Sequence, residues 1–208
     1  MRIGILGAGM IGATLGTLWC KVGHEVRFAT RHPEKLHDLV QSLGPGASCG
    51  TVEEAASFGP AVLWAVPLGA TPDLGRRPGA LLTDKVVLDT ANPYPARDGA
   101  VAQEVIASGR GTGVWTASHL PTARVVRAFN TVYFKTLLNE AHRMGDRLGI
   151  PLAGDNTDAL QLTEQLVVDA GFTPIVVGAL ERGRSFEPGT PPYNSGMSAS
   201  QLRRMLAF

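Results

Sequence analysis

Apolar runs of strand length alternate along the chain with longer segments whose apolar residues recur every three or four positions. Ile3-Gly4-Ile5-Leu6 reads as a buried strand. Residues 10–22 follow as a helix with Ile11, Leu15, Leu18 and Val22 on one face and Gly23 as its stop. Residues 26–29 form the second strand. Pro33 opens a second helix at its first turn, where a missing amide costs little; Leu36, Leu39 and Val40 give it an apolar face and Gly44-Pro45-Gly46 ends it. Residues 61–66 form a continuous apolar strand stopped by Pro67. Residues 86–89 and 125–129 are two more strands, with a helix near 98–108 between them. Residues 150–153 and 174–177 flank a helix over 156–170, and the Gly- and Pro-rich stretch 183–196 reads as a loop before a short helix from Ser198. Strands that are apolar on both faces and alternate with helices predict an α/β fold, a doubly wound and mostly parallel Rossmann-type sheet. With no repeat, low-complexity tract or linker, residues 1–208 read as one domain. Its last third extends the same sheet, and 183–208 is a loop and short helix near the substrate pocket.

Composition narrows the classes. Of 208 residues, 44% are hydrophobic and 18% charged, as expected of a chain that buries one sizeable core. Nineteen Lys and Arg against eighteen Asp and Glu leave a net charge of +1, too little to gather nucleic acid or an anionic membrane. No apolar run reaches the roughly 18 residues of a membrane helix, and a strand at residues 1–6 leaves no room for a signal peptide, so the expected location is cytoplasmic. Cys20 and Cys49 form neither a disulfide framework nor a metal pattern, and Cys20 falls on the inner face of a helix as an inert thiol. No Cys/His/Asp cluster has metal spacing, so no protein-bound metal is expected.

The chemistry starts at Gly7-Ala8-Gly9-Met10-Ile11-Gly12, which leaves a buried strand and opens a helix. Gly7 permits the tight turn, Gly9 lets backbone approach a pyrophosphate, and Gly12 lets the helix pack closely on the sheet. The amides and dipole of the helix start then favour phosphate. At the end of the second strand, NAD sites place an acid to hold the ribose hydroxyls. This chain has Thr30-Arg31 instead, with Lys35 one turn on, a set that attracts a 2′-phosphate. The cofactor expected is NADP(H). Ala65, Val66 and Pro67 end a central strand where the ribose and nicotinamide pass. Asn92 and Asn130, just past two strands, either orient the carboxamide or cap the following helices. Tyr94, between two prolines, covers the nicotinamide or packs on the surface, and Asp89 is an acceptor for loop amides. His119, read in a loop before Leu120-Pro121, is the candidate catalytic proton donor or else only a turn-bonding histidine.

These residues resemble the deazaflavin-dependent NADP oxidoreductases, which exchange hydride between NADP and a reduced 8-hydroxy-5-deazaflavin, coenzyme F420. The oxidoreductase domain of six-transmembrane metalloreductases is a related branch. The resemblance rests on the glycine turn, Thr30-Arg31-His32-Pro33-Glu34-Lys35 and Val66-Pro67. It continues through Asp89-Thr90-Ala91-Asn92-Pro93, Arg127-Ala128-Phe129-Asn130-Thr131-Val132 and Ile150-Pro151-Leu152-Ala153-Gly154-Asp155, to about residue 180. It implies that Thr30, Arg31 and Lys35 hold the 2′-phosphate, that Ala65 and Pro67 line the nicotinamide, and that Asn92 and Asn130 face the crevice. It also implies a homodimer. The tail from Arg184 to Asn194 departs from the family pattern, in which the tail helps form the second-substrate pocket. The apolar segment from Leu202 to Phe208 packs on the chain's own core or on a partner.

Three functions fit. The first is hydride transfer between NADP(H) and a deazaflavin or flavin-like acceptor, a small-molecule partner whose chemistry needs stacking and orientation more than acid–base groups. The second is NADPH-dependent reduction of a small carbonyl or imine, which needs a proton donor such as His119. The third is a non-catalytic NADPH-binding regulatory module.

Overall fold

In the computed structural model, which describes residues 1–206, the apolar runs assemble into one eight-stranded sheet. Its strands are β1 (Arg2–Leu6), β2 (Glu25–Ala29), β3 (Ala47–Gly50), β4 (Ala61–Trp64), β5 (Val86–Asp89), β6 (Arg124–Arg127), β7 (Gly149–Gly154) and β8 (Thr173–Gly178). They lie in the order β3-β2-β1-β4-β5-β6-β7-β8. All pairs from β3 to β6 are parallel; β7 runs antiparallel to β6, and β8 parallel to β7. The chain thus starts at the centre, winds out to β3, returns across β1 and builds the other half. This is the doubly wound Rossmann-type sheet expected, and the last third extends it.

The alternation of side chains explains why the central strands read as unbroken apolar runs. Ile3, Ile5, Phe28, Leu63 and Leu88 point to one face, where they pack with Leu15 and Trp19 of helix α1 (Met10–Lys21) and Leu166 of helix α8 (Thr157–Asp169). Leu6, Val62, Trp64 and Val87 point to the other face, against Ala55 and Ala56 of helix α3 (Val52–Ser57). Trp19 Nε1 donates to the Leu166 carbonyl at 2.9 Å, so the two helices of the first face are locked by a buried hydrogen bond as well as by packing.

Several elements differ from the periodicity reading, each for a local reason. The helix opened by Pro33 starts as a 3-10 turn over Pro33–Leu36 and becomes α2 only at His37–Leu43. Strand β3 is a short edge strand of small and polar residues without an apolar run. The preceding strand reading over 61–66 shortens to Ala61–Trp64, although the Ala65 amide still donates to the Leu6 carbonyl at 2.8 Å. Helices α4 (Thr71–Arg76), α5 (Pro95–Ser108), α6 (Thr112–His119) and α7 (Phe134–Glu140) complete the connections. His119 is therefore the last residue of a helix rather than part of a loop. The segment read as a loop from 183 begins inside a 3-10 turn, Leu180–Phe186, whose Phe186 is fully buried. Helix α9 (Ala199–Leu206) lays Leu202 against Ile175, so this part of the apolar tail packs on the chain's own core; Ala207 and Phe208 lie outside the described residues.

Two constraints set the shape of the sheet's C-terminal edge. Gly7 has φ 96°, and a Cβ there would stand 2.3 Å from the Ala65 carbonyl oxygen; a Cβ on Gly12 would stand 2.0 Å from the Gly7 carbonyl oxygen. The turn, the strand end and the start of α1 thus meet at backbone contact distance. The second constraint is Arg127, whose side chain has no solvent exposure and lies 3.0 Å from Asp89 Oδ2 and 3.5 Å from Glu187 Oε1. Burial pushes the Asp89 carboxyl above its ordinary value, and the Arg127 guanidinium beside it works against that shift.

Gly12→Ala is expected to lower the unfolding free energy by about 2 kcal/mol or more, because backbone rather than a pliable side chain blocks the new methyl. The midpoint of chemical denaturation reads this directly. Arg127→Met leaves buried carboxylates without their counter-charge and is expected to cost about 3–5 kcal/mol, and Asp89→Leu in the same chain is expected to recover part of the loss in the same measurement.

Candidate active site

The strand ends enclose a cleft of about 970 Å³, near the upper limit of the roughly 300–1,000 Å³ usual for small-molecule sites. It lies where the winding reverses between β1 and β4, the position at which open α/β sheets bind ligands. Gly7, Ala8, Gly9, Met10 and Ile11 line it. Gly9 is the N-cap residue of α1 and makes no side-chain cap, and a Cβ there would meet no protein atom within 4 Å. The helix amides therefore open onto free space at the midpoint of the cleft, where their partial positive charge suits a pyrophosphate. Gly12 sits beneath the turn and does not line the cleft.

On the β2 side the cleft is lined by Thr30, Arg31 and His32. Thr30 Oγ1 accepts the His32 amide at 3.2 Å, which curls the chain after the strand. Arg31 is exposed and makes no ion pair among the described residues, whereas His32 lies 3.3 Å from Glu34. Lys35, in the 3-10 turn Pro33–Leu36, is exposed and does not line the cleft. Thr51 and Arg77 complete this end. Thr51 closes a capping box with Glu54 at the start of α3, and Arg77 lies 3.1 Å from Glu53. A backbone hydrogen bond, and then Arg77, hold the Glu53 carboxyl below its usual value. The pattern Thr51-x-x-Glu54 is a helix-start signal readable in the sequence; Arg77 carries no such signal.

On the β5 and β6 side, Ala65, Val66, Pro67, Asn92 and Asn130 line the cleft. Asn92 is 6% exposed and its amide is fully used. Its Oδ1 accepts from Arg127 at 2.8 Å and from Asn130 Nδ2 at 3.4 Å; its Nδ2 donates to the Asn130 carbonyl at 2.8 Å and to the Tyr94 hydroxyl at 3.4 Å. A primary amide has two donors and two acceptor sites, so none remains for a carboxamide, and Asn92 is a brace within the wall. Asn130 is aimed into the wall by Phe129, a buried residue held at φ 58°. Edge-to-face contacts of Phe129 with Trp19 and Phe172 hold that strained turn. Asp89 Oδ1 accepts the Ala91 amide at 3.0 Å, as read from the sequence.

The tail supplies the remaining wall. Asn130 Nδ2 donates to the Phe186 carbonyl at 3.1 Å, Glu187 accepts the Thr112 amide at 2.6 Å, and the Asn194 amide donates to the Thr131 carbonyl at 2.8 Å. Tyr193 and Asn194 are thereby brought to the cleft, and the Tyr193 and Tyr94 hydroxyls hydrogen-bond to each other. Burial, and then Tyr94, push the Tyr193 hydroxyl well above its ordinary value. Arg97 lies over the Tyr94 ring at 4.8 Å and pairs with Asp98 at 2.8 Å. Burial would raise the Asp98 carboxyl, but Arg97 and the Gly69 amide hold it below its usual value. His119 does not line the cleft: it ends α6, stacks on Trp115 at 4.2 Å, and its Nδ1 lies 3.0 Å from the Trp115 carbonyl. The proton-donor role assigned to it is therefore withdrawn. Among the described residues, no three His, Cys, Asp or Glu side chains form a metal-binding group, and no helix is long and apolar enough to cross a membrane.

Residues 2–93 match the family described as NADP oxidoreductase, coenzyme F420-dependent. The rat (Rattus norvegicus) metalloreductase STEAP3 is 26% identical over 186 residues, which is 89% of this chain and 36% of that protein; the chain thus spans about a third of that relative's length. A solved structure from Arthrobacter, provisionally named an F420-dependent NADP-reductase, shares 22% identity and a TM-score of 0.75, covering 89% of this chain and 88% of its own. A reductive aminase from Aspergillus terreus, solved with NADPH and ethyl levulinate, shares 17% identity and a TM-score of 0.65, covering 88% of this chain and 57% of its own. At these identities the two structures speak for the fold, and the family match speaks for the nucleotide half. The likeness to coenzyme F420-dependent NADP oxidoreductases is thus carried by residues 2–93, the nucleotide half of the chain, where that family's model matches.

Proposed function

We propose that the chain passes hydride from NADPH to a planar acceptor of the deazaflavin or flavin class. The observation that carries this reading is the make-up of the cleft's far wall. Tyr94, Tyr133, Phe134 and Tyr193 line it beside Pro67, and its two nearby guanidinium groups are both compensated, Arg97 by Asp98 and Arg127 by Asp89. Such a wall stacks a neutral ring face and excludes water, which is what transfer between two rings asks of a protein. Thr30 and Arg31 would hold the 2′-phosphate of NADPH, the amides at the start of α1 its pyrophosphate, and Ala65 and Pro67 would line its nicotinamide. The hydride leaves nicotinamide C4 for the acceptor ring, and a proton from solvent or from the wall completes the reduction.

The second reading, reduction of a small imine or carbonyl, has one specific observation in its favour. The hydroxyls of Tyr94 and Tyr193 face a site whose fold is shared with a reductive aminase. The metalloreductase likeness adds ferric chelates to the acceptors worth offering.

NADPH oxidation is followed by absorbance with oxidised deazaflavin, FMN, FAD, ferric chelates and a cyclic imine as acceptors. Turnover fastest with the deazaflavin is the expected result, and turnover confined to the imine selects the second reading. Arg31→Ala is expected to raise the KM for NADPH about tenfold or more, the loss of a charge-assisted hydrogen bond of about 1.5–3 kcal/mol, while leaving the KM for NADH little changed. An equal effect on both nucleotides overturns the placement of the 2′-phosphate.

A further inference from the structure

Tyr94 and Tyr193 stand 99 positions apart in sequence, yet their hydroxyls meet at the cleft wall. The direction of the hydrogen bonds there follows from Arg127. A guanidinium only donates, so the Asn92 atom 2.8 Å from it is the oxygen, and the amide nitrogen is the atom that faces Tyr94. The Tyr94 oxygen accepts from Asn92, and in its bond with Tyr193 either hydroxyl can donate; when Tyr94 donates, its hydrogen points to the Tyr193 oxygen. In that arrangement the Tyr193 hydrogen is released from Tyr94 and is free to point into the cleft, from a half-buried side chain that lines it. Arg97, which lies over the Tyr94 ring, is committed to Asp98 and to the Asn92 carbonyl at 3.0 Å. Burial, and then Tyr94, raise the affinity of the Tyr193 hydroxyl for its proton, so it stays protonated throughout the neutral range and gives that proton up only as negative charge builds on the acceptor atom.

We propose that the Tyr193 hydroxyl is the hydrogen-bond and proton donor to the acceptor atom that gains electrons when hydride arrives, with Tyr94 and Asn92 as positioning residues that connect it to Arg127. This rests on the hydride-transfer reading above. The acceptor class it selects is one in which the carbon that takes hydride is conjugated to a carbonyl oxygen or an imine-type nitrogen. The electron pair on nicotinamide C4 forms the new C–H bond, and the π pair of the acceptor moves to its oxygen or nitrogen. That atom takes the Tyr193 proton, Tyr193 takes the Tyr94 proton, and Tyr94 is reprotonated from solvent; NADPH leaves as NADP+. The phenol position is supplied by the tail, the part of the chain that departs from the family pattern.

Tyr193→Phe and Tyr94→Phe are compared with the parent protein, with oxidised deazaflavin and a cyclic imine as the two acceptors. Tyr193→Phe is expected to lower kcat about a hundredfold, within the range for loss of a general acid, while the calorimetric Kd for NADPH and the melting temperature stay unchanged. Tyr94→Phe is expected to give a smaller loss, also in kcat rather than in NADPH affinity. The tail stays anchored through Glu187 and Asn194 in both variants, so loss of fold does not mimic the result. Retention of kcat in Tyr193→Phe, in a parent that turns over either acceptor, overturns the donor assignment and leaves the hydride-transfer reading standing. Turnover of the imine alone, lost in Tyr193→Phe, supports the donor and moves the acceptor class. A parent that binds NADPH but reduces neither acceptor overturns the hydride-transfer reading, and the donor assignment falls with it.

Discussion

The guanidinium of Arg127 is the point on which the far half of the cleft depends. It has no solvent exposure, so its charge is tolerable only with partners on several sides. Those partners come from different parts of the chain: Asp89 at the end of β5, Asn92 in the loop after it, and Glu187 in the tail. Asn92 then spends its remaining hydrogens on the Asn130 carbonyl and the Tyr94 hydroxyl. One buried charge thus orders a strand end, two loops and the tail in a single polar network. Such a network leaves little room for alternative geometries, because each half-satisfied arrangement strands a buried donor or acceptor.

The nucleotide half is ordered by a different force. There the constraint is steric: Gly7 and Gly12 bring three backbone segments within the space a methyl group needs. This draws the start of α1 close to the sheet edge and leaves its amides facing open space. The two halves meet at Ala65, whose carbonyl packs on Gly7 and which is followed two residues on by Pro67 in the cleft wall. The β1–α1 end of the cleft is thus rigid backbone, and the far end is built of side chains and tail.

Much of this was legible in particular residues. The glycine turn between a buried strand and a helix, the Thr30-Arg31 strand end without an acid, and the two-faced apolar runs carry their physics locally, since backbone contact, charge and periodicity need no distant partner. His119 shows the opposite case. Its loop assignment came from the adjacent proline, but Thr112–His119 is helical and turns the ring onto Trp115, away from the cleft. Asn92 was placed correctly at the crevice, while its full commitment to Arg127, Asn130 and Tyr94 had no trace in the sequence. Lys35 stands in the 3-10 turn that Pro33 opens before the α-helix, exposed and outside the cleft lining.

By itself the sequence determined the doubly wound sheet, the glycine turn at its C-terminal edge and the cationic strand end without an acid. Each of these follows from patterns spanning a few dozen residues. Only the tertiary structure decided what forms the far wall of the cleft. Tyr193 and Asn194 reach the cleft because Glu187 and Phe186 are captured by groups from α6, β6 and the loop after it. Contacts across such separations in sequence are set by the packing of the whole sheet, and no local pattern encodes them.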